Sequence, residues 1–122
     1  MTTQQLNRIE LIGIIGNVVT RSISDNDMVA NFSVATNYVY YYNNNPIIET
    51  TWHNVVAFKS GKDIDFDAIV KSGKIHVIGR VRQKLYVDIN NEKRSSFEIV
   101  ASTVEAVPQY ECDEGLIAQF NK

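Results

Sequence analysis

The sequence predicts an all-β protein: a five-stranded barrel with one short helix between the third and fourth strands. Three observations lead there. Most apolar segments alternate with a period of two, the mark of a strand with one buried face. Only one stretch, at residues 63–71, carries helical spacing. Polar clusters rich in Asn, Asp and Ser punctuate the runs.

The first strand places Ile9, Leu11 and Gly13 on one side and Arg8, Glu10 and Ile12 on the other. A polar turn at 24–27 leads to a second strand over 28–36, with Phe32 and Val34 opposite Asn31 and Ser33. Residues 38–50 read as a longer connection, because Asn43-Asn44-Asn45-Pro46 is a strong strand breaker. The third strand is Thr-Trp-His-Asn-Val-Val-Ala-Phe over 51–58. Asp63 is the expected N-cap of the helix, Phe66, Ile69 and Val70 its apolar face, and Gly73 its end. The fourth strand, 74–83, alternates Ile75, Val77, Gly79 and Val81 with His76, Ile78, Arg80 and Arg82. A hairpin tip at 88–93 precedes the fifth, 95–107, where Phe97, Ile99 and Ala101 alternate with Glu98, Val100 and Ser102. Five strands with a helix in that slot match the Greek-key barrel called the OB-fold. Residues 1–108 form the predicted domain and 109–122 a short tail, in which Leu116, Ile117 and Phe120 are available to dock.

Composition narrows the class. The chain has 122 residues, enough for one domain with a real core, and is 44% hydrophobic and 21% charged, as a folded globular protein should be. No apolar run reaches the roughly 18–20 residues needed to span a bilayer. Residues 1–5 lack the basic start and apolar stretch of a secretory signal. The expectation is a cytoplasmic protein with no membrane partner. Cys112 is the one cysteine, a loose thiol in the tail with no internal disulfide open to it. The formal net charge is −2, whereas a nucleic-acid binder is usually basic. Glu111, Asp113 and Glu114 against Lys122 account for the excess, so acids and bases balance in residues 1–108.

The residues with distinctive chemistry are aromatic and basic. Tyr38, Tyr40, Tyr41 and Tyr42 crowd one strand end, where both faces must carry a ring and some rings must be exposed. Trp52 and Phe58 are six apart and share a side, with His53, Val55 and Ala57 opposite. Parity leaves open which of those sides is buried. Arg80, Arg82, Lys84 and Tyr86 share a face that cannot be the buried one. A basic stripe ending in a ring suits an unpaired strand, tracking its phosphates and stacking its bases; an ordinary solvated face is the plainer alternative.

Catalytic sets are missing. His53 and His76 have no Cys or carboxylate close by at metal-ligand spacing, which leaves each as a core or interface histidine. Ser60-Gly61-Lys62 lacks the upstream glycine of a phosphate-binding loop. Asp63, Asp65 and Asp67 suit a helix start better than a calcium loop. No cofactor or metal is expected.

The ordered strand motifs resemble one family. Asn7-Arg8-Ile9-Glu10-Leu11-Ile12-Gly13, Val29-Ala30-Asn31-Phe32-Ser33-Val34-Ala35-Thr36, Thr51-Trp52-His53-Asn54-Val55-Val56-Ala57-Phe58 and Ile78-Gly79-Arg80-Val81-Arg82 resemble successive strands of bacterial single-stranded DNA-binding proteins. The resemblance covers most of residues 7–105, in order and spacing. It implies a non-enzymatic OB-fold that holds single-stranded DNA without sequence preference, in replication, recombination and repair. It further implies bases stacked on Tyr40, Trp52, Phe58 and Tyr86, and a phosphate path along Arg8, Arg21, Lys59, Lys62, Arg80, Arg82 and Lys84. Two of the stacking positions often hold tryptophan in the family, and Tyr40 and Tyr86 offer a smaller face. The family's glycine-lysine pair is replaced by Lys59-Ser60-Gly61-Lys62. A homotetramer, with dimers pairing through their first strands, is implied by resemblance alone, and His53 resembles a histidine near those contacts. Many members end in an acidic peptide with a Pro-Phe tip that recruits replication and repair proteins. This sequence ends Ala118-Gln119-Phe120-Asn121-Lys122, which points to a truncated, plasmid-type or phage-type member, or to different partners. The competing readings are an OB-fold protein-interaction module, such as a primosome-like accessory protein, and a small nuclease, for which no carboxylate set stands out.

Overall fold

The computed structural model describes residues 4–108. Six strands run β1 (Ile9–Ser24), β2 (Asp27–Tyr42), β3 (Asn45–Phe58), β4 (Asp63–Ile64), β5 (Lys74–Val87) and β6 (Lys93–Ala106). They lie in the order β3-β2-β1-β5-β6-β4, and β3 also pairs with β6, which closes the barrel. The closing contact is short and parallel: Val55 opposite Ile99 and Val56 opposite Val100. The core gathers one face of every long strand, including Ile15, Phe32, Val34, Val55, Ala57, Ile75, Val77, Ile99 and Val104. The β-branched residues that dominate this set pack well on a pleated surface.

The expected helix over 63–71 is a single 3₁₀ turn, Phe66–Ala68. Asp63 does not cap it. Asp63 and Ile64 pair in parallel with Thr103 and Val104 of β6, and the Asp65 N–H donates to the Val104 carbonyl at 2.9 Å. Strand pairing captures the residues that would have begun the helix, and too few remain to nucleate an α-helix. Buried Ile69 anchors the chain just after the turn. At the far end Ser72, rather than Gly73, takes the positive φ, at 69°.

The expected loop over 38–50 is also replaced. β2 and β3 stay paired from Val29–Phe58 to Tyr42–Asn45, a continuous hairpin whose turn is Asn43-Asn44. Both asparagines have positive φ, 51° and 64°, the combination that matches the twist of a two-residue hairpin. Asn tolerates that conformation, so the segment that looked like a breaker is a turn signal. Pro46 sits beside the turn, opposite Tyr41 at the ribbon's end. The turns after Ser24 and Val87 fall where the sequence placed them. Residues 109–122, with Cys112 and the expected tail, lie outside the described residues.

Candidate nucleic-acid interface

The β2–β3 register settles the parity of the third strand. Val55 and Ala57 are buried in the core, and Trp52 points away from it with 59% of its surface exposed. Trp52 stands beside Ala35 and Phe58 beside Val29 on the same outer face. Arg21 pairs with Val29 on the other side, so Arg21, Val29 and the half-buried Phe58 form one row across β1, β2 and β3.

Trp52 reaches over the outer face of β2 toward β1. Its benzo edge reaches across β2 to Gly16 and Ser33, so close that a Cβ on Gly16 would meet Cζ3 at 2.7 Å. The register of β1 against β2 shifts between Ile15 and Val18, where Gly16 and Asn17 lie, and the Asn17 N–H donates to Ser33 Oγ at 3.1 Å. The ring edge is thereby seated against β1 while most of the residue stays exposed. Lys71 lines the same recess with Gly16, Asn17, Ser33 and Trp52. It is held there by its neighbours: the Ser72 N–H donates to Ile15 O at 2.8 Å, and the Ile15 N–H to Gly73 O at 2.9 Å. Sequence reading missed Lys71, because nothing local marks a lysine that backbone pairing delivers from across the chain.

The hairpin tyrosines divide. The register puts Tyr38, Tyr40 and Tyr42 on the face that continues the core, beyond the barrel's end, and Tyr41 on the face of Trp52. All four are exposed, and the Tyr38 and Tyr40 rings lie 6.2 Å apart at a 32° tilt. Tyr40 and Trp52 are therefore on opposite faces of one ribbon.

On the β5–β6 hairpin, Arg80, Arg82, Lys84 and Tyr86 share a face as expected, across from Val100, Glu98, Ser96 and Arg94. Arg82 is committed to Glu98, with Nε donating to Oε1 at 3.0 Å and a second guanidinium nitrogen donating to the same oxygen. Lys84 lines a groove of about 350 Å³ with Asn17, Asn31, Ser33, Asn54 and Ser96. The hairpin tip is braced by Arg94, which bonds Asp88 at 2.9 Å and Glu92 at 3.1 Å. The Glu92 backbone N–H, with Arg94, holds the Asp88 carboxyl below its usual range. Tyr86 stays exposed opposite Arg94.

The remaining cations are dispersed. Arg8 pairs loosely with Glu10 at 3.9 Å. Lys59 follows Phe58, its backbone N–H bonded to Met28 O at 2.8 Å and its ammonium 5.9 Å from the Phe66 ring centre. Asp27 accepts from the backbone N–H and hydroxyl of Ser60, both at 2.9 Å, which pins this turn to the start of β2. Lys62 is exposed in the same turn.

Both histidines are held by side-chain hydrogen bonds. His53 shares a 2.8 Å hydrogen bond with Thr36 Oγ1, and burial lowers its pKa. His76 is bonded to two carboxylates the sequence did not place beside it: Nδ1 to Glu105 at 2.9 Å and Nε2 to Glu10 at 2.6 Å. Those bonds, Glu105 first, raise its pKa above 6.5. Strand pairing of β1, β5 and β6 supplies this cluster, so spacing along the chain could not reveal it.

The model of the single-strand binding protein family matches residues 6–107. The chain belongs to that family. The mitochondrial single-stranded DNA-binding protein of Oryctolagus cuniculus is 31% identical, over 83% of this chain and 74% of that one. The single-stranded DNA-binding protein of Neisseria meningitidis is 29% identical, over 82% of this chain and 59% of its own length. Among solved structures, the Plasmodium falciparum SSB in complex with ssDNA superposes with a TM-score of 0.72 at 26% identity, covering 88% of this chain and all of that one. That superposition agrees with the closed barrel described above.

Proposed function

We propose that this protein binds single-stranded DNA without sequence preference and protects it during replication, recombination and repair. The observation that carries the reading is Trp52: a largely exposed ring on the outer face of the barrel, with Lys71 beside it, in a chain of this family. Bases stack on Trp52, Phe58, Tyr40 and Tyr86, and stacking accepts any base because every base has a flat face. Arg8, Arg21, Lys59, Lys62, Arg80, Lys84 and Lys71 neutralise phosphates, with Arg82 supporting the path through its bond to Glu98. Because Tyr40 and Trp52 face opposite ways, the strand must pass round the β2–β3 ribbon rather than lie along one face.

The role is binding, with no catalysis and no cofactor. Residues 1–108 are the binding domain and 109–122 a tail. Assembly is as a homotetramer, with first strands in contact: residues 9–13 pair with β5 alone, and Ile12 among them is 53% exposed. The relatives are bacterial and mitochondrial alike, and the protein works beside the DNA it serves, in the cytoplasm and nucleoid of a bacterial host. Titrating Trp52 fluorescence with oligo-dT at two salt concentrations tests the reading. Saturable quenching that weakens with salt is expected. No quenching at low salt would leave a protein-contact module as the better account of the exposed rings.

A further inference from the structure

The barrel closes over a short stretch, Val55–Ile99 and Val56–Val100. The residues just before that closure, Asn54 of β3 and Ser96 and Glu98 of β6, line the groove of about 350 Å³ that Lys84 borders. Its other polar side chains come from β1 and β2. Ser33 stands opposite Asn54 in the register, and the Asn17 N–H donates to Ser33 Oγ at 3.1 Å, so Asn17, Ser33 and Asn54 make one row across three strands. Asn31, two residues before Ser33, shares that face.

The hydrogen-bonding capacity of this groove is unspent. Among the described residues, the side chains of Asn31, Asn54, Lys84 and Ser96 bond to no other residue. Asparagines elsewhere on the barrel are committed: the Asn7 amide donates to Val81 O at 2.7 Å, and Asn37 Oδ1 accepts from the Thr50 hydroxyl at 2.7 Å. The carboxylate lining the groove, Glu98, is answered by Arg82, which leaves Lys84 as an open cation. The groove also adjoins the recess of Trp52, because Asn17 and Ser33 line both.

We propose that this groove seats the nucleotide next to the one stacked on Trp52, with Lys84 on its phosphate and the Asn31 and Asn54 amides on its base edge. The proposal rests on the single-stranded DNA reading and adds a subsite to it. A volume of about 350 Å³ is in the range of small-ligand sites. An amide sets a donor beside an acceptor, and so does the pairing edge of every base. Turning the amide over exchanges the two, so the contact satisfies a base edge without selecting one base.

The test is fluorescence anisotropy with labelled oligo-dT and with the same oligonucleotide methylated at N3 of each thymine. Methylation blocks the pairing edge and keeps the flat ring and the phosphates. Wild type should bind the methylated strand several-fold more weakly. Asn54→Leu should lose about fivefold in affinity for oligo-dT, the size of one hydrogen bond, with an unchanged melting midpoint and salt slope. Asn31→Leu combined with Asn54→Leu should bind both strands equally. If wild type binds oligo-dT but does not distinguish the two strands, or if the double variant still does, the amides do not meet a base edge and the broader reading stands. If wild type does not bind oligo-dT, both fall.

Discussion

The benzo edge of Trp52 lies over Gly16, leaving room for hydrogen but not for carbon: a Cβ there would stand 2.7 Å from Cζ3 and 2.8 Å from Ser33 Oγ. Gly16→Ala should lift the ring off the sheet, because an exposed side chain yields more readily than backbone. The expected outcome is a several-fold loss of oligo-dT affinity and a shifted tryptophan emission, with little change in melting midpoint. Gly13→Ala should behave in the opposite way. Its Cβ would meet the Ala35 carbonyl oxygen at 2.2 Å, which only a backbone shift can relieve. Destabilisation of about 1–3 kcal/mol is expected, read from urea midpoints.

Trp52→Ala should cost about 1–3 kcal/mol of single-stranded DNA affinity and leave folding intact, since Trp52 lies outside the core cluster that holds Val55 and Ala57. Unchanged affinity by anisotropy would remove Trp52 from the path of the strand.

Lys84 and Arg82 are neighbours on one face but should differ in salt dependence. Lys84→Ala is expected to reduce the slope of log K against log salt by about 0.7, the value of one phosphate contact on a single strand. Arg82 already answers Glu98, so Arg82→Ala should lower affinity with a smaller change in slope and should expose an unpaired carboxylate. Parallel titrations at several salt concentrations distinguish the two.

His76 should make stability depend on pH. Its carboxylate partners raise the folded pKa above 6.5, so the folded protein holds the proton more tightly than the unfolded chain. The contribution is full below about 6.5 and is lost as pH rises through the raised folded value. The partners are exposed at the surface, so the size should be about 1 kcal/mol or less. Urea midpoints measured across this window should fall for wild type relative to His76→Gln as pH rises; a constant difference would show that the bonds do not bias the proton.

Much of the fold could be read in advance because alternation is a local property. Leu11, Phe32, Val34, Ile75, Val77 and Ile99 are buried where period two put them. The errors came where one local signal met a stronger partner. Asp63 had helix-starting character, yet β6 offered backbone pairing at that position. Asn43 to Pro46 read as a breaker, yet two left-handed asparagines make a tight turn. At the site, exposure of the hairpin tyrosines and of the Arg80–Tyr86 face followed from their crowding and charge. Phe97 is exposed although it alternates with buried Ile99, because alternation assigns a face, not how far the barrel extends along it.

The sequence by itself determined which side chains share a strand face, that the protein is a barrel of paired strands, and which family it resembles, since these depend on residue order and spacing. Only the tertiary structure decided which face of β3 meets solvent, that Tyr40 and Trp52 look opposite ways, and that Lys71, Gly16 and Trp52 meet in one recess. It also brought Glu10 and Glu105 to His76. Those relationships arise from pairing between strands distant in the chain, where register and closure, rather than local preference, set the distances.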